Sequence, residues 1–375
     1  MRLKFLVPYV AFILTACIVL FLDFGLIIPL SEKDGALYDY FPQGIYIMPI
    51  IWLVIMCFPI LYIMLYEEKL FNLPKEKPKR NLKVFIFSFL GLFILIMIFR
   101  TLIIWKYNGP YEKMSMIFFL LFQILLVEQL SLKDYGLDIR APWEDWKRDF
   151  EYIGIFFAII IIFLIPIFIL AFFIFYPQIS EILPQLTAPN ALILISFPFQ
   201  TIAVGVSEEL MFRGYLQENF REFDKKFEYK SHFYFWTFIN SFIFGCFHIP
   251  WYIEYSPTTF FTIPPENIIP MITRIISTGT FGFFMCLIYE YTRSLRITIL
   301  LHGLYNTIGA FIGSAFLFVD FDIVNTITNL QLIVFGICLI PFAFIGLILY
   351  FKIPNYIADK LNYQHTSSKL KKIIN

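Results

Sequence analysis

Apolar runs alternate with short polar breaks along almost the whole sequence, from residue 5 to residue 351. A run of about 20 apolar residues is long enough for one helix to cross the hydrocarbon core of a bilayer. The pattern therefore predicts an all-α fold, a polytopic membrane helix bundle of about ten transmembrane helices. The predicted spans, of which the fourth and sixth are short, cover residues 5–30, 44–66, 83–105, 115–132, 152–177, 191–212, 233–250, 267–290, 296–318 and 329–351.

The connections between these spans alternate in charge. The N-terminus, every second connection and the tail are rich in basic residues, among them Arg2, Lys4, Lys75, Lys77, Lys79, Arg80, Lys225, Lys226, Lys371 and Lys372. The intervening connections carry acids and few basic residues, chiefly Lys33, Lys106 and Lys113. Because cytoplasmic loops hold the excess of Lys and Arg, the alternation predicts that both termini lie in the cytoplasm.

The composition supports a membrane protein and narrows the chemistry. The chain of 375 residues is 59% hydrophobic and 15% charged, whereas soluble domains are about a quarter charged. A net charge of +1 gives no indication of nucleic-acid binding. The five cysteines show no CxxC spacing, which disfavours a disulfide framework or a thiolate metal site. "LTAC" at 14–17 is similar to a lipoprotein cleavage box, but an apolar run follows Cys17, so we interpret residues 5–30 as an uncleaved span.

The two halves of the chain differ in their content of small residues. Small residues recur on the predicted helices from about residue 190, as in "GAFIG" at 309–313, a spacing that lets membrane helices pack closely. We therefore divide the chain into N-terminal flanking transmembrane helices at 1–189, a tightly packed bundle at 190–318, and a last transmembrane helix with a basic cytoplasmic tail at 319–375.

Ionisable residues within the spans are functional candidates, because an unpaired charge in a bilayer costs several kcal/mol. The densest group lies in the second half, in "SEELMFR" at 207–213, "FGCFH" at 244–248 and "HGLYN" at 302–306. Arg100, Glu128 and Glu290 lie near span ends, where long side chains can reach the interface, and Arg274 lies about a turn or two into the eighth span. We expect that behaviour of Arg100, Glu128, Arg274 and Glu290.

The spacing of the densest group indicates how its members pair. Glu209 and Arg213 are four residues apart, on one helix face, and can form an ion pair. Glu208 points about 100° away, which leaves its carboxylate free for chemistry. His302 and Asn306 share a face in the same way, and Phe244 can form a wall beside His248.

These groups suit a water-activating amide hydrolase. Glu208 and His248 can hold a water and accept its proton, while His302 and Asn306 can donate hydrogen bonds to an oxyanion. Two alternatives use the same region. Zinc could bind Glu208, His248 and His302, although HExxH is absent, and Ser207 could serve in a triad, although no GxSxG frame surrounds it.

The depth of the two histidines in the bilayer is a constraint on this site. His302 lies about 9 Å beyond Arg296 by helical rise, and His248 lies about 25 Å beyond Ser231. The two can meet only if the seventh helix begins well below the bilayer surface. We therefore predict that the sixth helix, extended to about Phe220, and the seventh helix protrude into the cytoplasm, and that the site lies in the cytoplasmic half of the membrane.

The three motifs, in this order, resemble those of the CAAX prenyl protease and bacteriocin-processing (CPBP) family, also called the Abi family. "EELMFR" fits EExxxR, "FGCFH" fits FxxxH and "HGLYN" fits HxxxN, and the resemblance covers residues 190–318. Eukaryotic members include the Ras-converting prenyl-protein endopeptidase. The resemblance implies an all-helical, glutamate-dependent intramembrane endopeptidase without a required cofactor.

Carried onto this chain, the resemblance makes Glu208 the general base and lets His248 share the activated water. His302 and Asn306 would form the oxyanion site, and Glu209 and Arg213 would orient the motif helix. The expected partners are a membrane-associated peptide substrate and the lipid bilayer, with no nucleic acid. The residue usage suggests the cell membrane of a low-GC bacterium.

Two other functions stay open from the sequence. A non-catalytic scaffold, regulator or bacteriocin self-immunity protein could retain the family fold. A transporter could use Glu208 as a proton site, although no inverted repeat relates the halves. The substrate, the oligomeric state and lipidation at Cys17 are not readable from the sequence.

Overall fold

The computed structural model describes residues 2–22, 47–107, 112–174, 197–198, 200–224, 229–256 and 260–316. In these ranges the chain is helical, apart from its connections and one small hairpin. The first five helices are α1 (Arg2–Leu22), α2 (Ile47–Phe71), α3 (Leu82–Tyr107), α4 (Glu112–Phe122, continued by a π-turn at Gln123–Val127) and α5 (Trp143–Ile174). The others are α6 (200–223), α7 (Tyr229–Cys246), α8 (Pro265–Thr292) and α9 (Leu295–Phe316). The antiparallel strands β1 (Glu254–Ser256) and β2 (Phe260–Thr262) connect α7 to α8.

The helices coincide with the apolar runs of the sequence, and the all-α class is confirmed. The tenth predicted span, at 329–351, lies outside the described residues. Within the described residues, two helical segments are long and apolar enough to cross a membrane, Leu82–Thr101 with a mean hydropathy of 2.7 and Asn267–Thr292 with 1.6. The number of ten spans and the cytoplasmic position of both termini stay predictions.

Apolar side chains form outward-facing stripes on the long helices. On α3 these are Phe87, Leu90, Ile94 and Ile98, and similar stripes lie on α7 and α8 at Phe235, Phe238, Phe242, Ile269, Ile272 and Ile276. Their spacing of three or four residues places each set on one helix face. Faces of this kind are costly in water, and lipid chains would cover them.

Helix α6 is continuous from 200 to 223 but changes its winding along the way. Two π-helical stretches, Gln200–Gly205 and Leu210–Gln217, lie on either side of the α-helical turn Val206–Glu209. The helix then continues through Glu218–Phe223, so the predicted extension to about Phe220 is confirmed. Wide π-turns often occur at functional sites, and here they flank the two adjacent glutamates.

Glycines bring the helices of the second half into close contact, as the sequence predicts. A Cβ atom at Gly245 on α7 would lie 2.5 Å from the carbonyl oxygen of Ile275 on α8. A Cβ atom at Gly303 on α9 would lie 2.1 Å from Oγ1 of Thr201 on α6. The absence of a side chain at these positions allows backbone-to-backbone packing and fixes α7, α8 and α9 around α6.

Candidate active site

Glu209 and Arg213 form the ion pair that their spacing predicts. The Arg213 Nη1 atom lies 3.2 Å from Glu209 Oε1, and neither side chain is exposed. Arg213 also donates through Nη2 to the Gly282 carbonyl at 3.1 Å and lies over the Phe244 ring at 4.5 Å. Because α8 supplies the carbonyl and α7 the ring, Arg213 joins both helices to α6.

His302 lies between the two adjacent glutamates. Its Nδ1 is 2.6 Å from Glu209 Oε1, and its Nε2 is 3.6 Å from Glu208 Oε2. A carboxylate that accepts from Nδ1–H fixes the tautomer and the orientation of the ring. The Phe281 ring packs edge-on against the imidazole at 5.2 Å between centroids, so the ring is held on several sides.

His248 projects from the turn that ends α7. A proline at position 250 disfavours continuation of the helix, and the chain passes through this turn into a short 3₁₀ helix, Ile249–Tyr252. The His248 Nδ1 atom is 3.1 Å from the Phe244 carbonyl, and the Phe244 ring packs edge-on at 5.5 Å. A carbonyl only accepts, so Nδ1 carries the proton and Nε2 keeps a lone pair for a water or a proton.

His248 and Asn306 complete the predicted set with fewer direct contacts. His248 is buried, and its ring packs edge-on against Phe244 and Phe247. Asn306 lies one turn beyond His302 on α9 and is half-buried. The direct contacts thus join Glu208, Glu209, Arg213 and His302, while His248 and Asn306 lie on neighbouring turns.

A second group of charges, absent from the predicted site, lies against Glu208. Lys113, in the first turn of α4, donates a hydrogen bond to Glu208 Oε1. Arg100 on α3 lies 3.7 Å from the same oxygen and donates through Nε to Glu112 Oε1 at 2.6 Å. Arg100 also donates to the carbonyl of Phe247, the residue before His248. All three of these additional side chains are buried.

The expectation that the Glu208 carboxylate stays free is therefore wrong, because Lys113 binds one of its oxygens. The pattern of apolar runs predicts Lys113 in a connection between spans. The helix α4 begins inside the bundle instead, and at 11 residues plus a five-residue π-turn it is about 24 Å long. That length is shorter than the hydrocarbon core of a bilayer, about 30 Å.

The expected snorkelling to the interface is also wrong for Arg100, which is buried. Arg100 is enclosed by Glu112 and Phe247. Glu128 accepts hydrogen bonds from Tyr215 at 2.7 Å, Gln123 at 3.1 Å and Tyr135. Glu290 pairs with Arg221 at 2.5 Å and with Arg293. Glu128 and Glu290 are half-buried and bonded within the bundle, and their position at the interface, like that of Arg274, stays a prediction.

The structure does not place Glu208, His248 and His302 as ligands of one metal ion. Among the residues that the structure describes, no group of three or more His, Cys, Asp or Glu side chains is placed to hold a metal ion. The charges of the cluster balance within the protein instead. Three carboxylates, Glu112, Glu208 and Glu209, lie beside three cations, Arg100, Lys113 and Arg213.

Comparison with known proteins agrees with the motifs. The chain matches no curated protein and no solved structure. The sequence model of the family described as type II CAAX prenyl endopeptidase Rce1-like matches residues 190–308. This range contains all three motifs and the predicted site residues from Glu208 to Asn306. Residues 190–308 are thus similar to the Rce1-like CAAX endopeptidases, which confirms the resemblance to the CPBP family.

Proposed function

We propose that this protein is an intramembrane endopeptidase in which Glu208 activates a water molecule for peptide-bond hydrolysis. The observation that carries the proposal is the position of His302, with one ring nitrogen on Glu209 and the other facing Glu208. A buried carboxylate and an oriented imidazole are the groups that a hydrolytic water needs. The similarity to CAAX endopeptidases supports the same class of reaction.

In the first step, a water lies between Glu208 and His248 and attacks the peptide carbonyl. Glu208 accepts one proton of the water through Oε2, since Oε1 is held by Lys113. The His248 Nε2 lone pair accepts a hydrogen bond from the same water and orients it. A bond forms between the water oxygen and the carbonyl carbon, and the carbonyl oxygen takes the negative charge.

In the second step, His302 and Asn306 stabilise the oxyanion and the C–N bond breaks. His302 acts in its doubly protonated form, whose Nδ1–H donates to Glu209 and whose Nε2–H donates to the oxyanion. The Asn306 amide donates a second hydrogen bond. Glu208 returns its proton to the leaving nitrogen, and the products are an amine and a carboxylic acid, whose proton then passes to the amine or to solvent.

The substrate class that fits is a peptide segment of a membrane-associated protein or precursor. The outward apolar stripes favour a bilayer around the protein, so a lipid-associated chain could reach the cluster without leaving the membrane. The name of the matched family describes prenyl endopeptidases, which makes a prenylated peptide one of two reasonable probes. Peptide pheromone or bacteriocin precursors of a low-GC bacterium are the unprenylated alternative, and the cell membrane is the proposed location.

The proposal is tested with purified full-length protein in liposomes. The probes are an internally quenched farnesyl peptide with a CAAX C-terminus and its unprenylated counterpart. We expect cleavage of one of them by the wild-type protein and loss of cleavage in Glu208→Ala and in His248→Ala. Unchanged cleavage in both variants would remove the mechanism. A comparison of the peptides in wild-type and Glu208→Ala cells then identifies the natural substrate.

A further inference from the structure

The N-terminal half of the chain contributes charged groups to a site whose motifs all lie in the second half. Lys113 and Glu112 lie on α4 and Arg100 lies on α3, outside the range that matches the endopeptidase family. All three are buried beside Glu208. Burial of these three side chains and of Glu208 in ionised form is costly unless each is paired. Their arrangement therefore calls for an explanation beyond packing.

We propose that Lys113 is a positioning residue for Glu208 that holds the carboxylate in the orientation required for water activation. This inference rests on the proposed function. Lys113 binds Oε1 of Glu208, which directs Oε2 toward Nε2 of His302. Because Lys113 binds only Oε1 of Glu208, Oε2 stays available to the water. The contact at Oε1 also fixes the rotamer of the Glu208 side chain.

The position of Lys113 is itself fixed on two sides. Its ammonium lies 4.7 Å from the centre of the Phe247 ring, a cation–π contact, and 3.5 Å from Glu112 Oε1. The same Glu112 oxygen accepts from Arg100 Nε at 2.6 Å. Lys113 therefore cannot swing away from Glu208 without losing the Glu112 and Phe247 contacts as well.

Arg100 extends this arrangement to the second motif. Its guanidinium lies 3.7 Å from the centre of the Phe247 ring and donates to the Phe247 carbonyl. Phe247 immediately precedes His248, so Arg100 anchors the turn that carries the imidazole. Glu112 connects the two cations, and Glu208 and the His248 turn are consequently held by one cluster from α3 and α4.

The decisive comparison is between loss and retention of the charge at position 113. In the liposome assay we expect Lys113→Met to lower kcat about 100-fold per folded molecule, with KM little changed, because a small misplacement of a catalytic group costs about that much. Lys113→Arg keeps a cation in reach of Glu208 and should recover about tenfold of the loss. The matched control is Lys133→Met, which removes a lysine from an exposed pair with Asp138 at 3.1 Å and should leave kcat unchanged.

A stability cycle covers the case in which Lys113→Met folds poorly. Thermal unfolding is measured for the wild type, Lys113→Met, Glu208→Gln and the double variant. Each single variant leaves one buried charge without its partner, whereas the double variant leaves neither. We therefore expect the melting temperature of the double variant to be higher than the sum of the two single-variant shifts predicts. Additive shifts would overturn the pairing.

The failures of the two proposals are distinguishable. If the wild type cuts a probe peptide, Glu208→Ala does not, and Lys113→Met cuts like the wild type, then only the role of Lys113 is overturned. If the wild type cuts neither probe, the endopeptidase proposal fails for them, and the stability cycle alone decides whether Lys113 holds Glu208.

Discussion

At the scale of single residues, the pair between Glu209 and Arg213 is the most deeply buried contact of the cluster. Neither side chain reaches solvent, and the pair connects three helices through Gly282 and Phe244. A buried pair is not strongly stabilising relative to an apolar one, but removal of one partner leaves the other charge without compensation. The pair therefore makes folding sensitive to either residue, independently of catalysis.

We predict that Arg213→Met destabilises the protein by about 3–5 kcal/mol, because it leaves Glu209 buried and charged. The control is Arg140→Met, which breaks an exposed pair with Glu68 at 3.1 Å and should cost less than about 1 kcal/mol. Denaturant unfolding in detergent measures both. Equal effects of the two variants would contradict the interpretation of the buried pair.

Glu67 gives the protein a stability that depends on pH. It follows the second predicted span, is buried, and accepts a hydrogen bond from the Leu132 backbone amide at 2.9 Å. Burial raises the pKa of this carboxyl from 4.5 to about 7, against the lowering effects of that hydrogen bond and of Arg140. The folded state therefore holds the proton more tightly than the unfolded state does.

The sign of the pH dependence follows from this raised pKa. The stabilising contribution of protonated Glu67 is complete below pH 4.5 and is lost as the pH rises through about 7. We predict that Glu67→Gln, which keeps an acceptor for Leu132, removes this loss. The amount by which its melting temperature exceeds that of the wild type should grow between pH 4.5 and about pH 7 and stay constant above pH 7. Parallel curves for the two proteins would show that Glu67 does not titrate in this range.

Single residues also show where prediction from the sequence ends. Glu209 and Arg213 could be paired from their spacing, and the Phe244 wall beside His248 could be placed in the same way. Lys113 and Glu112 could not be, because they lie at the border of a predicted connection, where charges usually indicate solvent. The only available signal was that this connection, expected to be poor in basic residues, nonetheless contains two lysines.

At the scale of elements, the packing of α7 on α8 depends on positions without side chains. A Cβ atom at Gly245 would lie 2.5 Å from the Ile275 carbonyl oxygen, and one at Gly279 would lie 3.2 Å from that of Ser241. A backbone carbonyl cannot rotate away from such a contact. The two helices would have to separate, and Arg213, which contacts both, would lose part of its environment.

We predict that Gly245→Ala destabilises the protein by about 1–3 kcal/mol, as overpacking of a well-filled interface does. The matched control is Gly154→Ala on α5, where the added Cβ atom would meet no other atom within 4 Å. An alanine in a helix there should be neutral or stabilising by up to about 1 kcal/mol. Thermal unfolding of both variants checks the pair, and similar results for both would contradict close α7–α8 packing.

Helix positions could be predicted from the apolar runs, whereas their winding could not. The sequence places helices at α2, α3, α7, α8 and α9 to within a few residues. The two π-helical stretches of α6 have no signature in the pattern of apolar residues. These stretches are relevant to the site because they flank Glu208 and Glu209, which both contact the imidazole of His302.

At the scale of the whole molecule, the outward apolar faces and the alternation of basic loops lead to a topology prediction. Reporter fusions at either terminus should be active if the reporter functions only in the cytoplasm and inactive if it requires export. The physical reason is the excess of Lys and Arg in the N-terminus and tail. An active exported reporter at either end would contradict an even number of spans with cytoplasmic ends.

The assembled molecule also revises the division of the chain into a flanking half and a catalytic half. The motifs and the family match lie at 190–308, but Arg100, Glu112 and Lys113 complete the charge balance around Glu208. The first half therefore contributes to the proposed site directly. A motif search alone could not have found this contribution, since pairing across about 100 residues of chain is a property of the fold.

The most direct test of this account is the cleavage rate of purified Glu208→Gln. The substitution keeps the shape of the side chain and an acceptor for Lys113, and removes its negative charge and its ability to accept a proton. We predict that kcat falls at least about 10²–10⁴-fold, the usual contribution of a general base, while the protein remains folded. A Glu208→Gln protein that cleaves peptide at the wild-type rate would contradict the account, because Glu208 would then not be the general base.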